Sequence, residues 1–386
     1  MNNEIIKEIS KIFTDKYYKT YHLSAKYTIA LSIEIIRNLD LEQYLKKDFF
    51  SVEEIIKTHN FSAQSQVPLK WMLNLLYENN LILCEDLNVI KRYSMRLNLP
   101  QDLNLKKISD EIINLDSSYE IFIKLMTFIA ADYPDFIKGN KNGIEIVFSK
   151  DRDKLWDAYF SNKFNGYSPF NVIGAMILGH YVSISDHKFN ILELGAGTGG
   201  GTEKNIEYIL ERKLEHKVSK YIFSDLSPYF LRSGNKKFLN YSQLNIDYEL
   251  KKINFDNPIN LQKIDEQSVD IVYAVNALHV ARDLAKTINY ISCILRPGGR
   301  FIVSELIRED SGNMLFQELI FNLLDSYQNV LTDYKTRPNC GFLTIPQWKR
   351  YFEEAKFNNI EATDNSLGQK NFFEKKILMV LSGSKT

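Results

Sequence analysis

The sequence predicts an α/β protein, with a doubly wound, mainly parallel sheet preceded by an N-terminal helical, winged-helix-like domain. Three observations lead there. From residue 189 onward short apolar runs alternate with helix-period segments, the order that builds a parallel sheet. The first of those runs breaks abruptly into glycines, FNILELGAGTGGG over 189–201, with a helix expected from about Thr202. Residues 1–140 carry helical periodicity and a single hairpin signal instead.

In chain order, Ala30, Leu31, Ile33, Ile35, Ile36 and Leu39 form one apolar face at helix spacing. Ser51 and Glu54 make a capping box that opens a second helix through Ile55 and Ile56. Pro68 stands near the first turn of a third helix, with Trp71, Met72, Leu75 and Leu76 on one side. Two short apolar pieces around Glu85, Asp86, Leu87 and Asn88 then read as a hairpin. Helices followed by a hairpin suggest a winged helix. The glycines, asparagines and lysines of 138–143 suit an exposed turn and set the expected boundary, giving domains 1–140 and 141–386. An aromatic group follows (Trp156, Tyr159, Phe160, Phe164, Tyr167), then an apolar helix over 170–181. Just ahead of the first sheet strand, that group suits a helical lid as well as ordinary core.

The strands read as 190–194, 221–225, 248–255, 269–275, 300–306 and 376–381, with helices between them. Gly195, Gly197 and Gly199 keep side chains out of the space between backbone and ligand, and they permit positive φ. The amides and dipole of the next helix would face that ligand. GAGTGG also fits the dinucleotide fingerprint through Gly195, Gly197 and Gly200, a weak match alone. Glu193 shifts the balance, because a carboxylate beside the turn repels a pyrophosphate and suits an ammonium group. Asp225 ends the second strand, where an acid accepts ribose hydroxyls, and Asp256 just past the third suits an adenine amino group. Asn276 and His279 follow the fourth strand, and Glu305 lies near the end of the fifth. Neighbouring parallel strands thus bring a histidine and a carboxylate within reach, a candidate general base with its orienting partner.

Composition excludes several classes. With 48 basic and 48 acidic residues in 386, no bulk electrostatic signature of nucleic-acid binding exists. Lys70 is the one basic side chain over 62–80, too little for a DNA-reading helix. Cys84, Cys293 and Cys340 are scattered without C-x-x-C, and the six histidines show no metal-ligand spacing. MNNEIIKEIS lacks a signal peptide's apolar core, and no apolar run approaches the roughly 20 residues needed to span a bilayer. The expectation is a soluble, cytoplasmic protein with neither nucleic-acid nor membrane partner and no metal.

The pattern E-x-G-x-G-x-G from Glu193 to Gly199 resembles the first motif of class I S-adenosylmethionine-dependent methyltransferases, whose fold is Rossmann-like. LRPGG over 295–299 resembles a late motif of the same superfamily. As a set, YIFSDLSPYFL, NFDNP, VNALHVARDL, LRPGGRFIVSE and the upstream GYSPF resemble the C-methyltransferase domains of polyketide synthases, over roughly 150–360. The resemblance implies S-adenosylmethionine as cofactor, held by Glu193, Gly195, Gly197, Gly199, Asp225, Leu226, Phe255, Asp256 and Asn276. It implies His279 and Glu305 as the catalytic pair that deprotonates the carbon between two carbonyls of a β-ketoacyl thioester. It places Tyr167, Tyr159 and Trp156 toward an acceptor that is a small molecule or tethered to an acyl carrier protein. The N-terminal region resembles the dimerisation domain of small-molecule methyltransferases, which implies a homodimer.

Oxygen or nitrogen methylation of a small metabolite is the alternative, as is carbon methylation of a free α-keto acid. In related O-methyltransferases an aspartate commonly follows the histidine, whereas here Val280 follows His279. A cofactor-binding regulator is the alternative from another class, and Glu193, Asp225 and His279 argue against it. The apolar groups Phe342, Leu343 and Trp348, around the start of a late helix, are expected to border the acceptor pocket.

Overall fold

A computed structural model describes residues 3–87, 90–95, 99–101, 103–149, 152–241, 246–309, 313–333, 336–367 and 375–386. The chain forms two units. A helical unit comprises 15–159 and 312–328, and a sheet unit comprises 1–14, 160–311 and 329–386.

In the helical unit, helix Asp15–Asn38 buries Ala30, Leu31, Ile33, Ile35 and Ile36, the face that the periodicity marked. Thr20, Ser24, Thr28 and Ser32 line its other buried stripe, each hydroxyl donating to the carbonyl four residues back. Polar groups inside the core are thereby satisfied within one helix. Strand β1 (Phe50–Ser51) runs into helix Val52–His59, whose capping box forms between Ser51 and Glu54. Helix Gln66–Glu78 follows, then β2 (Leu83–Asp86) and β3 (Lys91–Ser94). The three strands are antiparallel in the order β1-β3-β2, so the helix–helix–hairpin arrangement of a winged helix is present. Asn88 of the expected hairpin turn lies outside the described residues.

The expected break at 138–143 is instead part of this unit. Gly139 at φ 80 caps helix Glu120–Lys138, and Asn142 opens helix Gly143–Val147 with a capping box to Glu145. Gly143 is buried, and a Cβ there would fall on the Leu323 carbonyl. The division falls between Tyr159 and Phe160, and the 312–328 segment returns to pack in the helical unit. It brings the buried carboxylate of Glu318, which accepts from Trp71 Nε1 (3.1 Å), Tyr327 OH (2.5 Å) and Leu315 N (2.9 Å). Tyr133 OH donates to Leu319 O at 2.8 Å.

The sheet unit has seven strands, namely β4 (Phe189–Leu194), β5 (Val218–Asp225), β6 (Asp247–Lys252), β7 (Val269–Val275), β8 (Leu295–Leu306), β9 (Phe357–Asp364) and β10 (Leu378–Lys385). Their order is β6-β5-β4-β7-β8-β10-β9, with β10 antiparallel to both neighbours and the rest parallel. Strand order reverses between β4 and β7, the crevice where open α/β sheets bind ligands. One face carries an apolar core in which Leu192, Leu194, Val272, Phe301 and Val303 meet helices Leu284–Ile294 and Ile345–Glu354. Helices Ser168–Ser183 and Gly200–Glu211 pack together, and the former crosses β7, β8 and β10 on the other face. β9 has no counterpart in the sequence reading. FNNIEATD is an edge strand burying only Phe357, Thr363 and Asp364, so neither alternation nor an apolar run betrays it. Among the described residues no helix is long and apolar enough to cross a membrane.

Because Gly143 abuts the Leu323 carbonyl, Gly143→Ala is expected to lower stability by about 1–3 kcal/mol, the usual range for overpacking. Thermal denaturation checks this. An unchanged melting temperature would mean that 312–328 does not dock against residue 143.

Candidate active site

Glu193 occupies the penultimate position of β4 and is 1% exposed. Its Oε2 accepts from Tyr221 OH (2.6 Å) and Thr202 Oγ1 (2.5 Å), and Asn205 Nδ2 donates to Tyr221 OH at 2.8 Å. Burial pushes the Glu193 carboxyl up to about 7, against the opposing pull of the two hydroxyls. Desolvation wins because both donors are neutral.

The turn after Glu193 has the geometry that its glycines permit. Gly195, Gly197 and Gly199 have φ 63, 56 and 81, all in the left-handed region. Ala196 N donates to Ser224 O (2.9 Å) and Gly199 N to Ala196 O (2.9 Å), closing a tight turn into helix Gly200–Glu211. That helix starts two residues earlier than expected. A Cβ on Gly201 would lie 2.8 Å from Glu193 Oε1, so this glycine makes room for the carboxylate. A Cβ on Gly200 would meet Phe160 O and Asn171 Nδ2, both at 2.7 Å, so the segment ahead of the sheet lies directly on the turn. A Cβ on Gly197 would meet nothing within 4 Å.

Asp225 ends β5 and accepts from Gly197 N (3.0 Å) and Ser227 N (2.8 Å). Burial raises its carboxyl above the usual range, while amides of Ser227, Gly197 and Leu226 pull the other way. The Leu226 side chain is 53% exposed. Phe255 approaches the glycine turn, its ring 3.6 Å from a Cβ built on Gly195. Asp256 is exposed and accepts from Arg282 N at 2.8 Å, tying the turn after β6 to the loop after β7.

That loop carries the second half of the site. Asn276 adopts φ 45, its amide donates to Ser304 O (2.8 Å), and its Oδ1 accepts from Leu306 N (2.6 Å). Its Nδ2 is buried and makes no hydrogen bond. Glu305 on β8 is fully buried: Oε1 accepts from Ala277 N (3.2 Å) and Leu278 N (3.1 Å), and Oε2 meets His279 Nδ1 at 2.9 Å. A carboxylate only accepts, so Nδ1 carries the proton and the basic lone pair resides on Nε2. The Phe342 ring stacks on the imidazole with centroids 4.1 Å apart. The two halves touch, since a Cβ on Gly195 would lie 2.7 Å from Ala277 Cβ.

Residues 192–301 match a methyltransferase domain family. Highly reducing polyketide synthase 2 of Gibberella zeae is 32% identical over 216 residues, covering 53% of this chain and 8% of that protein. The chain thus spans under a tenth of that relative's length. The solved structure of the DszA carbon methyltransferase aligns over 100% of this chain and 94% of its own, with a TM-score of 0.81 at 16% identity. The trans-methyltransferase CalH, solved in complex with SAH, covers 94% and 90%, with a TM-score of 0.67 at 17% identity. At such identities these structures establish the fold. The chain carries an S-adenosylmethionine-dependent methyltransferase domain, on the fold of solved carbon methyltransferases that include a polyketide synthase domain.

Three features of the methyltransferase fit its cofactor. The open position at Gly197 is a cradle that a side chain would fill, Glu193 is a buried acid suited to an ammonium, and Asn276 Nδ2 is a buried donor in want of an acceptor. Tyr167 precedes helix Ser168–Ser183, with its ring 5.1 Å from that of Phe160 and 5.9 Å from that of Phe170. Trp156 and Tyr159 belong to the helical unit and are buried there, with ring centroids 5.6 Å apart. Trp348, expected to border the acceptor pocket, is instead fully buried in the apolar core. The sequence reading did not single out Thr202, Tyr221 and Asn205. A tyrosine inside a buried strand needs a hydrogen-bond partner, and that was the available signal.

The native Glu193 holds a proton that an unfolded glutamate releases near 4.5. Its stabilising contribution is full below pH 4.5 and is lost as pH rises to about 7. Melting the cofactor-free protein and Glu193→Gln at pH 5 and pH 8 tests this: the wild type should lose stability relative to the variant on going to pH 8. A pH-independent difference would show that the carboxyl is not raised.

Gly197→Val places a side chain in open space at positive φ, which costs about 1–2 kcal/mol of backbone strain but causes no clash. Calorimetry should show S-adenosylhomocysteine affinity lost while circular dichroism stays native. Retained affinity would remove the glycine turn from the cofactor site.

Proposed function

We propose that this methyltransferase methylates the activated carbon of a β-ketoacyl substrate, polyketide-type and carried by an acyl carrier protein, with His279 as general base and Glu305 as its partner. The observation that carries the reading is the buried contact between His279 Nδ1 and Glu305 Oε2, 2.9 Å, at the sheet end where the glycine turn lies. Support for a polyketide-type acceptor comes from the polyketide synthase relative and from the Phe342 ring, an apolar surface against the base.

S-adenosylmethionine, when bound, supplies an electrophilic methyl group on a sulfonium. An ordinary C–H is too weakly acidic to meet it, whereas a carbon between two carbonyls delocalises the pair left behind. His279 Nε2 would take the proton of that C–H, and the pair left behind would spread onto the two carbonyl oxygens; the new carbon–carbon bond would form as the methyl's bond to sulfur breaks, sulfur keeping that pair as a neutral thioether. Glu305 holds Nδ1–H and stabilises the imidazolium that results. Its two other bonds, from the Ala277 and Leu278 amides, keep its oxygens from turning away. The glycine turn, Glu193 and Asp225 hold the cofactor, and positioning supplies the rest of the rate.

His279→Ala should lower methyl transfer about 100- to 10,000-fold, the usual range for a general base, with S-adenosylhomocysteine affinity unchanged. Glu305→Gln should lose less, because the base remains. Mass spectrometry of a β-ketoacyl thioester incubated with each protein locates the methyl group. Carbon methylation at near wild-type rate by His279→Ala removes the histidine from the chemistry, and methyl found only on oxygen removes the carbon acceptor.

A further inference from the structure

We propose that Arg337 is a positioning residue for the base, its buried guanidinium locking the turn that carries His279 to the strap that presses Phe342 on the imidazole. The inference rests on His279 acting as proposed above.

His279 lies in the 3-10 turn Leu278–Val280. So short a turn ends before the carbonyls of His279 and Ala281 are used within it, and both lie in the buried interior. Arg337 supplies their donors. It is 1% exposed, NH1 donates to Ala281 O at 2.8 Å, and NH2 donates to His279 O and, at 3.5 Å, to Gly341 O. One planar group thus grips two carbonyls of the base turn and one of the strap. A guanidinium does this because its donors form a rigid, permanently charged fork, which an ammonium cannot reproduce.

The strap itself is held at several points. Leu331 N donates to Arg282 O at 2.7 Å, and Asp333 and Arg337 exchange backbone bonds of 2.9 and 3.2 Å. Arg308, also buried, donates through Nε to Phe342 O (2.9 Å) and through NH2 to Cys340 O (3.2 Å). Two buried arginines that grip one short segment, Arg337 from within it and Arg308 from the chain after β8, are more than packing requires. The geometry explains them. Glu305 holds Nδ1, one atom of the ring. The direction of Nε2 also follows from where the backbone under His279 and the Phe342 ring above it place the imidazole. Arg337 holds the first and carries the strap that bears the second.

The test reads the histidine directly. In protein labelled with 15N-histidine and saturated with S-adenosylhomocysteine, His279 is assigned by the loss of its signals in His279→Gln. Wild type should show one tautomer, protonated at Nδ1. Arg337→Lys should keep the Nδ1–H tautomer but show shifted or exchange-broadened His279 signals from a ring no longer held in one orientation, with S-adenosylhomocysteine affinity kept and kcat down about 100-fold, the scale of a 1 Å misplacement. A lysine variant whose His279 spectrum matches wild type overturns the proposal, whatever its activity. Arg337→Gln, which keeps an amide donor without the fork or the charge, serves if the lysine variant does not fold. Broadened His279 signals in Arg337→Gln support Arg337 as the positioning group, and signals that match wild type overturn it. Failure of the functional reading is seen separately, as a wild type that transfers no methyl to carbon while its His279 spectrum stands.

Discussion

The buried carboxylate of Glu305 is the constraint on which the half of the candidate site that carries His279 depends. A charge with no exposed surface persists only with good partners, and losing one partner of a buried pair typically costs about 3–5 kcal/mol. Glu305 has three, from Ala277 N, Leu278 N and His279 Nδ1. Two of those are amides that point at it only because Asn276 takes φ 45 and turns the chain back over the strand ends. Asn276 then secures that turn with bonds to Ser304 and Leu306 on either side of Glu305. The loop after β7 is therefore shaped around one side chain of β8, and the imidazole is placed by the same act.

Glu193 presents the opposite solution to burial. Its two neutral hydroxyl donors converge on one oxygen, with no backbone amide and no cation among its hydrogen bonds to the described residues. Its proton affinity rises accordingly, to about 7. Glu305 is satisfied by the chain alone, whereas Glu193 is an acid whose ionised form gains most from a cation that a ligand brings. That difference suits their proposed roles: one must stay fixed through a proton transfer, and the other must favour an ammonium-bearing molecule over water.

That the candidate site's groups lie together was legible in the sequence because they fall at strand ends. Runs ending in Glu193, Asp225, Asn276 and Glu305 mark the rim of a parallel sheet, and glycines mark where the chain turns. Spacing alone gave the sheet's parallel core and the capping boxes, since both are local patterns. What stayed hidden depends on contacts distant in sequence. Nothing local distinguishes 312–328 as part of the helical unit, because Glu318 becomes a core residue only when Trp71 and Tyr327 meet it. Arg337 likewise reads as a surface cation until the carbonyls of a turn some sixty positions earlier are seen to need donors. Trp348 was misplaced for a related reason: proximity to Phe342 in sequence did not distinguish the two sides of a helix start.

The two glutamates also stand on opposite faces of the sheet. Register sets Glu193 level with Phe223 and Tyr273, on the face where Tyr273 meets Gly174 of helix Ser168–Ser183. Glu305 shares alternation with Phe301 and Val303, on the side of helices Leu284–Ile294 and Ile345–Glu354. The proposed anchor for the cofactor and the proposed anchor for the base are thus built into two different cores, and neither competes with the other for donors. They communicate at the strand-order reversal, where Gly195 lets the loop after β4 close against Ala277 of the loop after β7. A side chain at 195 would force those loops apart and separate the two halves without touching either carboxylate. Glycine there serves less to bend the chain than to let two independently supported loops share one edge.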